Sequence, residues 1–547
     1  MKQSIVKIYL LYLTCQDKKR TFVHFLFLFL INIISRFIDG VKNKPSSLSK
    51  YLNKHNILFK SYTQWKLFFD DAIEVKTLSK KILFSIIIPV YNPDITYFKE
   101  CINSVIEQSY PNWELCIADD FSPLESPHFD FINTLNTANK IKFLRRENNG
   151  HISACTNSAI SLASGQFILL LDQDDKLHKH CLSSFAEVLN SYQELDFVYA
   201  DEDLLTGSTR HSPAFKPAFS PHNLISRNYI THPVIIRTEL VKEMGGMREG
   251  YEGSQDHDLF LRITAKTNKV FHIPKILYHW RVHSKSTSTN ITVKPYIQEA
   301  SQKAIADHLT NCAISVESVS SKHPNYYRIF SNNDLCPDLE IIKIKHDWVL
   351  TESFIDSKAA KFIDTIQTKK YLLLISEELE TPGSAMLNEA LTILEHTNAD
   401  SVGGVIIENK KALPNAYFLQ KNHLETFYSY KKYPYIGYHG FGLSFSNVDA
   451  LNPNFWFLRT ELFKETIRFT DPKLTFYQIA LAIFGKSIEK KQGLHVFAPQ
   501  IYTQGNDISK ARAEMVYNLF KNRRFKCASS NYLSFNINLT KRSFYFK

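Results

Sequence analysis

Three short clusters in this 547-residue chain have residue types and spacings suited to chemistry on a phosphorylated substrate. The first is Asp172-Gln173-Asp174-Asp175, which follows five apolar residues. Hard oxygen ligands one residue apart, as Asp172 and Asp174 are, suit Mg²⁺ or Mn²⁺ bridging to phosphate oxygens. Such a cation stabilises negative charge on a departing diphosphate. Paired carboxylates also occur by chance in exposed turns, and the apolar run in front sets this pair apart. The second cluster is Gln255-Asp256-His257-Asp258, between Gly253 and the apolar stretch Leu259-Phe260-Leu261. An aspartate at a helix start either acts as general base toward a hydroxyl or merely caps the helix, a task Ser254 also fits. The third is Tyr278-His279-Trp280-Arg281-Val282-His283. Arg281 has the fork geometry to grip a phosphate, and one imidazole suits a metal shell or a structural hydrogen bond.

Such clusters need a scaffold that brings them together. Residues 84–90 (FSIIIPV) read as a buried strand that stops at Asn92-Pro93. Residues 96–108 have helical spacing, with Phe98, Cys101, Ile102, Val105 and Ile106 on one face. Further strands are expected over 113–118, 141–144 and 167–171, with a helix over 153–163. This alternation predicts an α/β domain with a mainly parallel sheet and right-handed crossovers. Asp119-Asp120 and the 172–175 cluster then follow the carboxyl ends of buried strands, where open α/β sheets bind ligands. No Gly-x-Gly-x-x-Gly or P-loop accompanies them, which disfavours a dinucleotide or ATP site.

A second pattern starts near 316. The strand-like run 371–375 (YLLLI), the acids of 376–380, a helical stretch over 385–395 and the run 401–407 (SVGGVII) repeat the plan of 167–200, which predicts an internal structural repeat. At the amino terminus, 22–34 (FVHFLFLFLINII) is apolar with basic flanks. It is shorter than the roughly 20 residues that span a bilayer and lacks a small-residue cleavage site. It reads as an interfacial helix or as a helix packed on the domain behind it. The expected organisation is a helical region over 1–80, a first α/β domain over 81–315, a second over 316–520, and a basic aromatic tail over 521–547.

Lys plus Arg outnumber Asp plus Glu by 65 to 54, a net charge of +11. The charge is dispersed, with neither zinc-finger spacing nor a long basic stripe, so a nucleic-acid partner is not expected. Eight cysteines without a Cys-x-x-Cys pair point to a reducing compartment without a disulfide framework. A cytoplasmic location is expected, with peripheral contact at the inner face of the membrane if 22–34 is the interfacial helix rather than the packed one.

Taken in order, FSIIIPVYNP, SYPNWELCIADDFS, NNGHISACTNSAISLASGQFILLLDQDD, VYADEDLL, FKPAFSPHNLISRNYITHPVIIR, EGSQDHDLFLR and YHWRVHSKSTS resemble bacterial family 2 glycosyltransferases that build O-antigens and related surface polysaccharides. The resemblance runs from about 84 to 290 and implies a GT-A fold. It also implies an inverting reaction in which a base deprotonates an acceptor hydroxyl. The partners implied are a nucleotide-sugar donor and a glycan or lipid-linked acceptor. By the same resemblance, Pro89, Tyr91 and Asp120 belong to the donor site. Asp172 and Asp174 are the Asp-x-Asp pair, with Asp174 nearer the metal. Asp256 is the base, Arg281 faces the diphosphate, and His283, with His279 as second choice, completes the metal shell. Gln255 replaces the acid usual in the family's Glu-Asp motif, so Asp256 must act alone. Asp201-Glu202-Asp203 also matches, without an assigned role.

The second half resembles the same fold in reduced form, in YLLLISEELETPGSAMLNEALTIL and NFWFLRTELFKE. Ser376-Glu377-Glu378 departs from Asp-x-Asp, and no acid-rich base motif follows near 471–482. An inactive or acceptor-binding copy is implied. Two other classes compete for the whole chain: a catalytically dead glycan-binding scaffold on the same fold, and a nucleotidyltransferase. The latter normally needs a glycine-rich phosphate loop, which is absent.

Overall fold

A computed structural model provides the coordinates. It describes Tyr62, Lys66, 78–135, 140–283 and 295–313, then 316–320, 323–331, 333–344, 368–396, 399–409, 454–467 and 495–504, with short strand segments between 411 and 451 and near 540. The expected apolar helix at 22–34, the region near 471–482 and nearly all of the carboxyl-terminal tail lie outside the described residues. Among the described residues no helix is long and apolar enough to cross a membrane.

In chain order the first sheet and its helices are β1 (Phe84–Val90), α1 (Ile95–Ile106), β2 (Trp113–Asp119), α2 (His128–Thr134), β3 (Ile141–Arg145), α3 (His151–Ser161), β4 (Phe167–Leu170), β5 (Lys176–Leu177), α4 (Cys181–Ser191), β6 (Phe197–Thr206), β7 (Thr209–Ala214), α5 (Pro221–Ser226), β8 (Val234–Arg237), α6 (Thr238–Glu243), α7 (Gln255–Lys266) and β9 (Val270–Arg281). Strand order is β3-β2-β1-β4-β8-β6-β9-β5, with β7 paired to β6. The first four strands are parallel. β1 and β2 are buried almost throughout, which explains their near-continuous apolar character. α1 begins where the Asp94 side chain accepts the backbone N–H groups of Thr96 and Tyr97, a side-chain N-cap.

The sheet is mixed rather than parallel throughout. β8 runs antiparallel to both β4 and β6. A parallel neighbour requires the chain to cross back to its starting end; between β6 and β8 it instead returns through the β7 hairpin and the six-residue α5. The expected mainly parallel sheet therefore holds for β1 to β4 and reverses at β8.

A connecting pair follows: α8 (Pro295–Asn311) and the hairpin of β10 (Val316–Ser320) with β11 (Tyr327–Ser331). The second sheet contains β12 (Leu339–Ile344), β13 (Tyr371–Ser376), then after α9 (Ser384–His396) β14 (Ser401–Glu408), β15 (Phe455–Arg459), and after α10 (Thr460–Ile467) β16 (His495–Gln504). Its central order is β12-β13-β15-β14-β16, with parallel, antiparallel, antiparallel and parallel neighbours. The run β1-β4-β8-β6-β9 has the same order and the same senses. Phe167 pairs with Arg237 in the first sheet and Tyr371 with Arg459 in the second. Each arginine opens an Arg-Thr-Glu-Leu sequence. Thr238 N–H donates to Gln166 O and Thr460 N–H to Lys370 O, both at 3.0 Å. Among the described residues, nothing in the second sheet stands outside β12 as β2 and β3 stand outside β1.

One apolar core runs through both sheets, from Ile168 and Phe260 through Ile305 and Ile329 to Leu373 and Leu391. α8 braces α7 through Ser301 on Ser254 at 2.8 Å. The hairpin grips α9 through the Arg328–Glu389 ion pair and the Ser331 N–H donated to Thr392 at 2.9 Å.

Candidate active site

The residues of the first two strand ends form one wall. Pro89 lies in β1 opposite Ala118 of β2, and Tyr91, in the loop just beyond, is 53% exposed. Asp120 is buried and accepts Arg146 Nη1 at 2.8 Å and the Gly150 N–H at 3.0 Å. Tyr91 N–H donates to Gln173 Oε1 at 3.0 Å while Gln173 Nε2 donates to Tyr91 O at 3.3 Å. The amide between the two aspartates thus ties their loop to the Tyr91 loop, a task that needs Gln173's paired donor and acceptor.

The acid loop divides its labour. Asp175 is fully buried; its carboxylate accepts Tyr278 Oη and the Arg281 N–H, both at 2.6 Å. Burial, together with Asp172 and Asp174, pushes the Asp175 carboxyl well above the ordinary value. Asp172 keeps 42% of its side-chain accessibility. Desolvation raises its carboxyl above the usual range; His232 opposes this, and the charges of Asp174 and Asp256 add to it. The base candidate therefore lies close enough to be felt at the acid pair.

The third cluster splits in two. His283 Nε2 lies 2.7 Å from Asp174 Oδ2. His279 faces elsewhere, with Nδ1 2.7 Å from Asp203 Oδ1. Asp203 is also held by Tyr62 and by Arg210 Nε at 2.6 Å. Burial pushes the Asp203 carboxyl up, yet His279 and Arg210 outweigh it and hold the group below its ordinary value. The Arg281 guanidinium is 2% exposed. It donates to Asp174 O and to Glu100 Oε2, both at 2.6 Å, and lies over the Tyr97 ring. Arg281, expected to face a diphosphate, is thus buried behind the acid loop and holds it in place. Strand β9 carries Arg281 inward in register with Leu205 of β6, a pairing invisible in the linear motif.

The second cluster also divides. Asp258 is buried between Arg248 and Arg262, a structural ion pair within the fold. Asp256 is partly exposed; Oδ2 accepts Asn228 Nδ2 at 2.9 Å and Oδ1 accepts the His257 N–H at 2.8 Å. Ser254 occupies the N-cap position of α7 without a side-chain capping bond. His257 is buried with Nε2 2.7 Å from Leu224 O, and burial lowers its pKa. Gly253 precedes the helix at φ +83°, where an added Cβ would stand 2.7 Å from Ile297; both the left-handed backbone and the close approach require glycine.

Asn228 and His232 were given no role by the motifs; their signal is polar residues in RNYITHP, immediately before an apolar strand. Gln173 was visible within the acid cluster, but its tie to the Tyr91 loop was not. Asp201-Glu202-Asp203 proves to be a buried hub: Asp201 accepts the Lys216 N–H at 2.8 Å and lies 2.7 Å from His272 Nε2, and Glu202 pairs with Lys216 at 3.3 Å.

A hard divalent cation fits this donor set. Asp172 and Asp174 are carboxylates beside further negative charge, and His283 already sits on Asp174. Among the described residues no three His, Cys, Asp or Glu side chains form a ready cage; Mg²⁺ commonly binds through one or two carboxylates plus substrate phosphates.

The glycosyl transferase family 2 model matches residues 85–238, which hold β1 to β8 and the acid loop. The Escherichia coli K12 protein WcaA, named as a glycosyl transferase of colanic acid biosynthesis, is 30% identical over 189 residues, 34% of this chain and 67% of WcaA. The chain belongs to glycosyl transferase family 2. An uncharacterized protein of Sinorhizobium fredii is 37% identical over 272 residues, 49% of this chain and 30% of its own length. The O-antigen biosynthesis protein RfbC of Myxococcus xanthus is 33% identical over 258 residues, 47% of this chain and 20% of its own. The transferase thus spans less than a third of the length of these two relatives.

Proposed function

We propose that the first sheet transfers a sugar from a nucleoside-diphosphate sugar, with inversion, to a hydroxyl of a surface glycan or lipid-linked acceptor. What carries this reading is the convergence of Asp172, Asp174 and His283 with a partly open Asp256 whose charge reaches Asp172. The names of WcaA and RfbC, which point to colanic acid and O-antigen biosynthesis, support the acceptor class.

In this reading Pro89, Tyr91 and Asp120 receive the nucleoside. Asp172, Asp174 and His283 hold Mn²⁺ or Mg²⁺, which when bound offsets charge on the departing diphosphate. Asp256 accepts the proton of the attacking hydroxyl, with Asn228 fixing its orientation. Arg281 acts through the acid loop, keeping Asp174 in place. The second sheet is a reduced copy without transfer activity, since Ser376-Glu377-Glu378 stands where the first has Asp-Gln-Asp-Asp. The work is placed at the cytoplasmic face of the membrane.

The test is a screen of UDP-, GDP- and dTDP-sugars for thermal stabilisation with Mn²⁺ present, followed by diphosphate release on adding cell-envelope glycan extracts. Stabilisation by one nucleotide class and acceptor-dependent release are expected. Failure of every nucleotide sugar to stabilise the protein overturns the reading.

A further inference from the structure

Between α5 and β8 the chain passes the site as Asn228-Tyr229-Ile230-Thr231-His232. Two buried charges are devoted to this short segment. Lys216 Nζ donates to Ile230 O at 2.5 Å and His232 O at 2.6 Å, and pairs with Glu202 at 3.3 Å. Glu202 accepts Thr231 Oγ1 at 2.9 Å and the His232 N–H at 3.3 Å. A buried ion pair gives little stability over an apolar replacement, so what this one secures is the shape of the segment.

The segment presents His232 to the site. Its ring stacks on Tyr278, with centroids 5.1 Å apart and planes 21° apart, and only 9% of the residue is exposed. Nδ1 is buried with no hydrogen-bond partner. Nε2 stands 3.8 Å from Asp172 Oδ2, beyond hydrogen-bond length. A neutral imidazole carries its proton on one nitrogen. Placing it on Nδ1 would bury an N–H with no acceptor, so Nε2 is assigned the proton. The result is an aimed donor with a gap before it. The same segment carries Asn228, bonded to Asp256 at 2.9 Å. One short segment thus reaches the acid pair at His232 and the base candidate at Asn228, and a sugar attacked by a hydroxyl has to sit within reach of both.

We infer that the His232 Nε2–H donates a hydrogen bond to a hydroxyl of the transferred sugar, and that Glu202 and Lys216 are its positioning residues. The inference rests on the glycosyltransferase reading and assigns a role to the Glu202 of Asp201-Glu202-Asp203.

The test uses the full chain with Mn²⁺ and matched ligands measured by calorimetry: UDP-glucose and UDP-N-acetylglucosamine against UDP, GDP-mannose against GDP, and dTDP-rhamnose against dTDP. In the pair that the native protein prefers, His232→Phe keeps the stack and removes the donor. It should weaken the sugar nucleotide by about five- to tenfold, as for one neutral hydrogen bond, and leave the free diphosphate unchanged. His232→Gln, which keeps an N–H, should recover part of the loss. Glu202→Gln should reproduce the selective loss, whereas general damage would weaken both ligands. Equal weakening of sugar nucleotide and diphosphate, or no weakening, overturns the inference alone. So does a native protein that binds no sugar nucleotide more tightly than its diphosphate. If the native protein binds none of the nucleotides, the glycosyltransferase reading falls as well.

Discussion

The two sheets share a frame and differ in what stands at its edge. β1-β4-β8-β6-β9 and β12-β13-β15-β14-β16 match in order, sense and the register of Arg237 and Arg459. The clamp is alike in outline: Arg237 donates to Leu195 O and the Asp196 carboxylate, and Arg459 to Leu394 O and Ala399 O. Apolar strands and an arginine at the end of a central antiparallel strand are thus common to both frames. They are silent about chemistry. The first sheet adds β2 and β3, the Asp172–Asp175 loop and the partly open Asp256, whereas the second ends β13 on Ser376, with Ser376 Oγ turned onto Glu378. Activity is thus expected to follow the loops and stability the frame.

The largest effect should come from the first sheet's loops. Asp256→Asn should keep donor binding and cut transfer by roughly 10²- to 10⁴-fold, the range of a lost general base. Asp174→Ala should abolish metal-dependent donor binding, and undiminished binding with EDTA present would remove the metal assignment. Next, Arg328→Ala strands the buried Glu389 carboxylate and should cost on the order of 3 kcal/mol in denaturant unfolding. Donor affinity should not change; a parallel loss would mean that the frames are not separable in function.

A shared effect, of similar size when both histidines are taken together, is predicted for pH. Burial lowers His178 in the first unit and His495 in the second to about 3. The unfolded chain, with histidine near 6.5, then takes up protons first. Stability is complete above roughly pH 6.5 and falls by about 1.4 kcal/mol per unit per histidine as pH drops toward the folded value. Denaturation at pH 7 and pH 5 should show this slope, and His495→Gln should reduce it; an unchanged slope would show that His495 does not contribute. The smallest effect belongs to Glu377→Gln with Glu378→Gln: transfer should stay within about twofold, because removing carboxylates from a site without the base carries no catalytic penalty. A large loss would make the second sheet a working partner of the first.

Much of this was legible in the linear chain. Buried parallel strands are mostly apolar, so FSIIIPV, WELCIA and FILLL announced themselves to within a residue of β1, β2 and β4, and Asp120, Asp172 and Asp174 were picked out because they sit at or just beyond the ends of such strands. YLLLI and SVGGVII stood out as strands for the same reason. The reversal at β8 was not legible, since a short apolar strand carries no mark of its direction. Within each motif, identical residue types were sorted only by packing. Asp258 is buried between two arginines while Asp256, two residues earlier, is partly open; His279 goes to Asp203 and His283 to Asp174.

Residue type and local spacing, then, determined which side chains were available for chemistry and where strands and helices would form, because those depend on periodicity and on a few neighbours. The tertiary structure decided which of them meet. Arg281 turned inward to hold Asp174, and Glu202 and Lys216 shaped the segment that brings Asn228 to Asp256 and His232 to Asp172. These contacts join residues far apart along the chain, and only strand register and burial set them.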